Sequence, residues 1–142
     1  MAPTTVTAAD YQRLLQVRTG LREFLRWSED QANQVGLTGA QHQLLLAVKG
    51  HDDRRGPTIS DVAGYLTLKH HSAVGLVDRA ERAGLVTRHA DPDDRRVTRL
   101  ALTRQAEKRL AQLSALHLEE LARLAPQMAG IWKGLSGPHA RM

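Results

Sequence analysis

Two helical patterns lie so close together in this sequence that their helices must turn sharply onto each other. Thr58 can cap the first, and Asp61 stands where a capping-box acid would. Only Thr67 and Leu68 precede the second, which is expected to start at Lys69. Its apolar residues recur at i, i+3, i+4 and i+7, the spacing of one buried helical face: Ala73, Leu76, Val77 and Ala80. The pair predicts a helix-turn-helix.

A β-hairpin is predicted directly after the second helix. Two β-rich runs cover 86–90 and 97–102, and the segment between them, DPDDRR, has the composition of a turn. A two-stranded ribbon is marginal alone, so Leu100 and Leu102 are expected to pack it on the helices. A helix-turn-helix followed by such a hairpin is the layout of a winged DNA-binding region.

A helix of roughly twenty residues is predicted near the N-terminus. Asp10 can cap it, with Tyr11 as its first residue, and Gly36 can end it in a left-handed turn. Its apolar stripe is wide for a helix at a domain edge and comprises Tyr11, Leu14, Leu15, Leu21 and Leu25. Core packing explains the stripe, and so does a second subunit that covers part of it. The pattern leaves both open.

Two further helices complete the expected architecture. Thr38 and Gln41 form a capping box at the start of one. Thr103 caps a long, leucine-rich C-terminal region. Pro126 is expected to interrupt that region, because proline lacks the N–H that a helix interior requires, and a short last helix should follow.

Composition narrows the class of protein. The 142 residues are most simply one domain, and a core of Leu, Val and Ala with only 4% aromatic residues favours helices. No apolar run approaches the ~20 residues that span a bilayer, and the N-terminus lacks a signal-peptide pattern. The absence of cysteine excludes disulfides and thiolate metal sites. A cytoplasmic protein with loose termini at 1–9 and 136–142 is expected.

Charge gives weaker guidance. The formal net charge of +5 permits a nucleic-acid partner. Residues 51–99, however, carry nine Lys or Arg against eight Asp or Glu. Any DNA-binding surface in this region must therefore arise from the arrangement of charges, because the segment has no basic block.

Catalytic and metal-binding patterns are missing. The sequence has no Gly-rich phosphate loop, nucleophile elbow or His/Glu metal motif, so we expect neither an enzyme nor a cofactor. His70 and His71 are adjacent and point about 100° apart on a helix, which makes them a poor chelating pair. Glu29, His42 and His117 could converge only through the fold. A metal-responsive regulator stays as an alternative, with no metal site assigned.

Over roughly residues 10–135 the chain resembles the MarR-type winged helix-turn-helix regulators. The matching segments are LTGAQ at 37–41, TISDVAGYL at 58–66, LVDRAERAGLVTR at 76–88, DPDDRR at 91–96 and LALT at 100–103. Two residues depart from the family, which often has Leu in place of Ala80 and Gly in place of Ala106. Neither departure touches the expected DNA-facing surface.

The resemblance implies a mainly α (α+β) fold in a single domain, 1–142. Residues 10–35 and 103–136 would be dimerisation helices, and 37–102 the winged helix-turn-helix, with the wing at 86–102. It also implies a homodimeric, sequence-specific transcription regulator that is cytoplasmic and nucleoid-associated. Its partner would be a pseudo-palindromic operator in double-stranded DNA, and a small-molecule effector would relieve repression. An architectural DNA binder without sequence preference is the alternative.

The candidate DNA-reading residues lie outside the buried stripe of the second helix. Lysine, histidine and serine can bond to base edges, valine can contact a thymine methyl group, glycine permits close approach, and arginine can bind phosphate. The candidates are Lys69, His70, His71, Ser72, Val74, Gly75 and Arg79. A merely solvated helix face is the simpler alternative.

The wing tip supplies a second set of candidates. Arg95 is expected to enter the minor groove, where negative potential is focused, and Arg96 to bind a flanking phosphate. Asp93 is expected to orient Arg95 through a bidentate pair, and the resemblance places the family's wing aspartate and arginine on these two residues. Backbone N–H groups at helix starts are expected to contact phosphate at Thr38, Gln41, Thr58 and Ser60. An exposed Asp/Arg turn without a function is the alternative.

The resemblance finally implies an effector site between the dimerisation helices and the winged region. The ligand would be a small aromatic or anionic molecule. The candidate contacts are Trp27, Ser28, His42, Leu46 and His117. Ordinary packing is the simpler explanation for Trp27.

Overall fold

A computed structural model describes residues 5–135 and 137 of the chain. Its elements, in order, are α1 (Ala8–Gln34), α2 (Gly39–Gly50), α3 (Ile59–Leu66), α4 (His70–Arg82), β1 (Val86–Ala90), β2 (Thr98–Leu102) and α5 (Arg104–Lys133). The predicted mainly helical fold with a two-stranded wing is confirmed. The predicted tail at 136–142 and the first four residues lie outside the described part, except for Gly137.

The chain forms two compact units. The winged unit comprises 29–114, and the helical unit comprises 1–28 with 115–142. Both α1 and α5 contribute residues to each unit.

The winged unit has a continuous aliphatic core. The four apolar residues predicted to face inward from α4 are buried, and α2 adds three buried residues: Ala73, Leu76, Val77 and Ala80 from α4, and Leu44, Leu45 and Val48 from α2. Leu100 from the wing and Leu110 from α5 belong to the same core cluster. The helical spacing in the sequence therefore identified the core-facing side of α4.

Side-chain caps define the starts of α2 and α3. Thr38 and Gln41 form the predicted capping box, and Thr58 and Asp61 form the second. Thr67 ends α3 in the left-handed conformation, with a φ of 54°. The next helix begins at His70, one residue later than expected, because the extended backbone of Lys69 makes that residue the N-cap.

The wing is an antiparallel hairpin in which Val86 pairs with Leu102 and Ala90 with Thr98. Its second strand begins one residue later than predicted, because the N–H of Val97 donates to the Asp94 carbonyl within the turn. Thr103 donates from its backbone N–H to the Leu85 carbonyl at 3.0 Å. The end of the wing is thereby tied to the residues that leave α4.

Two predictions about the long helices are wrong. The first concerns the start of α1, where Thr7, not Asp10, is the cap. The Thr7 hydroxyl accepts the Asp10 N–H at 3.2 Å, and the Asp10 carboxylate accepts the Thr7 N–H at 2.8 Å. This reciprocal pair satisfies two donors at once, so the helix starts at Ala8.

The second concerns Pro126, which lies inside a continuous α5 and does not interrupt it. The missing N–H costs one hydrogen bond, whereas packing holds the helix on both sides of the proline. Leu124 before it and Met128 after it line the same cavity against α1. No separate last helix forms within 104–133.

Candidate nucleic-acid interface

The outer side of α4 presents the predicted DNA-reading residues. Five of them are exposed, namely Lys69, His70, His71, Ser72 and Arg79. The other two, Val74 and Gly75, are partly exposed. The opposite side of the helix is the buried stripe that ends at Ala80. Among residues 5–135, neither Lys69 nor Arg79 forms an ion pair. Both cations are available to an external anion.

Gly75 leaves room for a neighbouring guanidinium on this surface. A β-carbon at this position would lie 3.3 Å from Nη1 of Arg79. The glycine therefore lets Arg79 fold back across α4, toward its N-terminal half, which is expected to meet the major groove.

Arg88 joins this helix to the wing. It lies on β1 and donates to Asp78 at 2.6 Å and to Glu81 at 2.8 Å, both on α4. The hydrogen bond to Asp78, with the nearby charge of Glu81, raises the pKa of Arg88. The sequence prediction missed this bridge. The alternation of β1 offered a signal, because Val86 and Arg88 share a strand face and Val86 is buried.

The wing tip differs from the prediction in which acid pairs with which arginine. The bidentate pair joins Asp94 and Arg96, with Nε–Oδ1 at 3.1 Å and Nη2–Oδ2 at 3.2 Å. Asp93 does not orient Arg95; its carboxylate lies 3.4 Å from Nη1 of Arg55. The reason is local, since Oδ1 of Asp94 also accepts the Arg96 N–H and holds the two residues in one turn.

Arg96 is consequently an exposed but oriented cation. Its side chain is 90% exposed while Asp94 fixes one edge of the guanidinium. The hydrogen bonds from Arg96 lower the pKa of Asp94, because they favour the ionised carboxylate. Arg95 is exposed, and within residues 5–135 it forms no ion pair.

The base of the wing carries an ion-pair network that the sequence prediction also missed. We call Asp53, Arg55, Asp91 and Arg99 the wing-base network. Asp91 is 3% exposed and accepts N–H groups from Asp93 at 2.7 Å and Asp94 at 3.0 Å. It also accepts Nε of Arg99 at 2.6 Å. The N–H of Asp93, followed by Arg99, lowers the pKa of Asp91.

The predicted phosphate contacts at helix starts are mostly engaged internally. The N–H groups of Thr38, Gln41 and Thr58 donate within the two capping boxes, at 2.9–3.0 Å. These three N–H groups are therefore already hydrogen-bonded in the free protein, and phosphate contacts at these residues stay a prediction. Ser60 is exposed and takes no part in either capping box.

The predicted effector residues fall into two groups. Trp27, Ser28 and His117 lie together in the helical unit, where Ser28 Oγ is 2.7 Å from His117 Nε2. The Trp27 and His117 rings lie 4.8 Å apart. His42 is buried and Leu46 is exposed, and both belong to the winged unit. An effector site built from these five residues stays a prediction.

The helical unit also encloses a cavity of about 700 Å³ between α1 and α5. Apolar and aromatic side chains, including Phe24, Trp27 and Met128, form much of its wall, and Glu23 and Arg123 add charge. Such a mixture of apolar surface and a few polar groups is typical of small-molecule sites.

The described residues contain no cluster of three or more His, Cys, Asp or Glu side chains arranged to hold a metal ion. Glu29, His42 and His117 accordingly do not assemble into one. Over the same residues, no helix combines the length and the apolar character needed to cross a membrane.

Comparison with known proteins identifies the winged segment. The family model of the MarR family matches residues 35–97. No curated protein matches the chain in a search by sequence. The sequence resemblance to MarR-type regulators is confirmed by the family match and by the solved structures that share this fold.

Three of those structures illustrate the likeness. The MarR family transcription regulator SP03579 is 26% identical, with a TM-score of 0.68 over 84% of this chain and 76% of that one. A MepR mutant of Staphylococcus aureus, bound to an oligodeoxyribonucleotide, is 22% identical, with a TM-score of 0.63 over 87% and 85%. CouR of Rhodococcus jostii RHA1, bound to p-coumaroyl-CoA, is 24% identical, with a TM-score of 0.70 over 91% and 94%.

Proposed function

We propose that this protein is a homodimeric transcription regulator that binds a pseudo-palindromic operator, and the match of residues 35–97 to the MarR family model supports this proposal. In this proposal α4 enters the major groove and the wing tip enters the adjacent minor groove. The observation that carries it is the joint presentation of an exposed polar face on α4 and the oriented Arg96, with Arg88 connecting the two elements.

Ion pairing explains how a nearly neutral segment can bind DNA. Asp78 and Glu81 share the guanidinium of Arg88, and Asp91 pairs with Arg99, so each of these acids has a cation beside it within the unit. Lys69, Arg79 and Arg95 have no such partners in the described chain. These three cations without partners are exposed, which favours attraction to phosphate although the total charge of the segment is small.

The homodimer is supported by exposed leucines in the helical unit. Gly20, Phe24 and Trp27 of α1 line the cavity toward α5. Leu14, Leu21 and Leu25 lie on the other side of α1, each at least half exposed; on α5 the exposed apolar residues include Leu118, Leu121 and Trp132. A protein rarely leaves so many large apolar side chains in water, so we propose that a second copy covers them. Two winged units would then meet two half-sites.

We further propose that the protein is a repressor whose DNA binding is relieved by a small aromatic or anionic effector. The helical-unit cavity, with Trp27 in its wall and Ser28 and His117 close to Trp27, supports a ligand of this size. A neighbour in fold, CouR, was solved with p-coumaroyl-CoA bound. His42 and Leu46 belong to this proposal as further candidate contacts. The proposed location is the cytoplasm, in association with the nucleoid.

The alternative is an architectural DNA binder without sequence preference. A selection of bound duplexes from a random pool, followed by titration of the selected site and a scrambled duplex at one salt concentration, separates the two. A regulator should bind the selected site at least about 10³-fold more tightly. Equal affinities would favour the architectural binder, and binding to neither duplex would refute both.

Variants then assign the contacts. Arg96→Ala should weaken binding to the selected site by roughly tenfold, because one oriented guanidinium is lost. Lys49→Ala removes a cation of α2 that pairs with Glu107 and serves as the matched control. Equal binding by the wild type and the Arg96 variant would contradict the role proposed for the wing.

A further inference from the structure

We propose that the wing-base network clamps the wing to the loop between α2 and α3, and that Asp91 and Arg99 are positioning residues for the minor-groove contact. This inference rests on the proposed function, because it concerns how the wing arginines are held for DNA. It adds residues that lie outside the expected interface and that neither read bases nor bind phosphate themselves.

Asp91 sets the shape of the wing tip. Its buried carboxylate accepts the N–H groups of Asp93 and Asp94, the residues at which the chain turns. Asp94 in turn holds Arg96 through a bidentate pair. The position of the Arg96 guanidinium is therefore fixed through two carboxylates in sequence, the first of which is Asp91.

Arg99 connects that carboxylate to the neighbouring loop. Its side chain is 13% exposed and reaches from β2 to two groups at once. Nε donates to Asp91 at 2.6 Å, and Nη1 donates to the carbonyl of Gly56 at 2.9 Å. One guanidinium thus ties the wing tip to the backbone before α3. Lysine has a single donor nitrogen and could not hold both acceptors in this geometry.

Arg55 forms a second bridge from the loop side. It donates from Nη2 to Asp53 at 2.8 Å, and its Nη1 lies 3.4 Å from both Asp91 and Asp93. Within the network the carboxylates of Asp53 and Asp91 balance the guanidiniums of Arg55 and Arg99, and the neighbouring carboxylate of Asp93 brings the charge of the whole cluster to −1. A cluster of this sign does not attract phosphate, which argues that it positions the wing and does not bind DNA directly.

A clamp is needed because a two-stranded ribbon has little stability of its own. Beyond the network, two hydrogen bonds link the wing to the loop within the described residues: the Leu100 N–H donates to the Pro57 carbonyl at 2.9 Å, and Nε2 of His89 lies 3.3 Å from the Arg55 carbonyl. Without the side-chain bridges, the tip would sample more conformations before it meets DNA. The entropic cost of ordering the tip on binding would then reduce the affinity for DNA.

Hydrogen exchange tests the clamp in the free protein. The Asp91 and Val97 amides, which donate within the turn to the carbonyls of Val97 and Asp94, report on opening of the tip. In Asp91→Ala and Arg99→Met these amides should exchange at least about tenfold faster than in the wild type, while core amides such as that of Leu45 keep their rates. Wild-type exchange at the tip in both variants would overturn the proposal, whatever the DNA result.

DNA binding tests the consequence, at a temperature where each variant is folded by circular dichroism. Asp91→Ala and Arg99→Met should bind the selected operator about tenfold more weakly and lose preference at the flanking base pairs that face the wing, with the central preference of α4 unchanged. Asp91→Asn should bind with intermediate affinity, because its amide oxygen still accepts the tip N–H groups. Arg99→Lys should resemble Arg99→Met.

Lys49→Met is the control for loss of a paired cation outside the wing, because Lys49 pairs with Glu107, and it should behave as the wild type. Unchanged affinity and flank preference in the Asp91 and Arg99 variants would overturn the positioning role. Equal loss at the flanking and central base pairs would also overturn it, because a wing-specific effect would then be absent. Failure of the wild type to bind any duplex would refute the proposed function, and the exchange result would then stand separately.

Discussion

Substitution of Gly56 by alanine should destabilise the winged unit more than any comparable glycine substitution in the chain. Gly56 has a φ of +92°, a conformation that favours glycine. A β-carbon there would lie 2.2 Å from the carbonyl oxygen of Leu100. Since that oxygen belongs to the wing backbone, no side-chain rotation can relieve the overlap, and the loop and wing must separate.

Substitutions at two other glycines separate the contribution of backbone strain from that of overpacking. Gly84 has a φ of +74°, and a β-carbon added there would meet nothing within 4 Å, so Gly84→Ala meets only backbone strain of about 1–2 kcal/mol. Gly50 also has open space and no positive φ, so Gly50→Ala should change stability by less than about 1 kcal/mol, in the stabilising direction. Gly56→Ala combines strain, overpacking of about 1–3 kcal/mol and loss of the Leu100–Pro57 bond at about 1 kcal/mol.

The expected loss for Gly56→Ala is therefore about 3–6 kcal/mol, at least about 2 kcal/mol more than for Gly84→Ala. Urea unfolding followed by circular dichroism, at one protomer concentration, measures each difference. If Gly56→Ala and Gly84→Ala unfold with free energies within about 1 kcal/mol of each other, the close approach of loop and wing plays no part in stability.

Two further predictions concern the dimer and the response to acid. Leu118→Glu should shift sedimentation toward the monomer, because it places a charge at a position of the helical unit where the leucine is 69% exposed. Leu46→Glu should cause no such shift, because Leu46, which is 53% exposed, belongs to the winged unit. Identical sedimentation of the two variants would contradict the proposed interface. The lowered pKa values of Asp53, Asp91 and Asp94 mean that their stabilising contribution is complete above about pH 4 and is lost as the pH falls through the lower folded-state values. The difference in urea midpoint between the wild type and Asp91→Asn should therefore shrink between about pH 5 and pH 2, and a constant difference would refute the linkage.

The features predicted correctly from the sequence depend on neighbours within about four residues. The capping boxes at Thr38 and Thr58 each need only a partner three residues on, and the buried stripe of α4 follows from helical periodicity. The hairpin followed from two β-rich runs around a turn, and its first strand was placed correctly. Local chemistry is enough to predict these elements, although the hairpin also needs its packing on the helices to be stable.

The wrong predictions arose where several local solutions competed. Both Thr7 and Asp10 can cap a helix, and a reciprocal pair between them satisfies more donors than Asp10 alone. Pro126 breaks a helix by local rules, but packing against α1 on both sides outweighs the loss of one hydrogen bond. In each case the outcome depended on a contact that a single-residue rule does not include.

The wing tip shows why its pairing could not be predicted from the segment DPDDRR. Three aspartates and two arginines within six residues allow several pairs at the same separation, and Asp93–Arg95 and Asp94–Arg96 are equivalent by spacing. Asp91 determines which of these pairs forms, because its carboxylate accepts the N–H groups of both Asp93 and Asp94 and so fixes the conformation of the turn. Asp91 is itself held by Arg99, eight residues away on the opposite strand. The arginine that we propose to contact DNA therefore depends on a buried pair across the hairpin, and that pair can be predicted only when the strand register and the position of the loop before α3 are known.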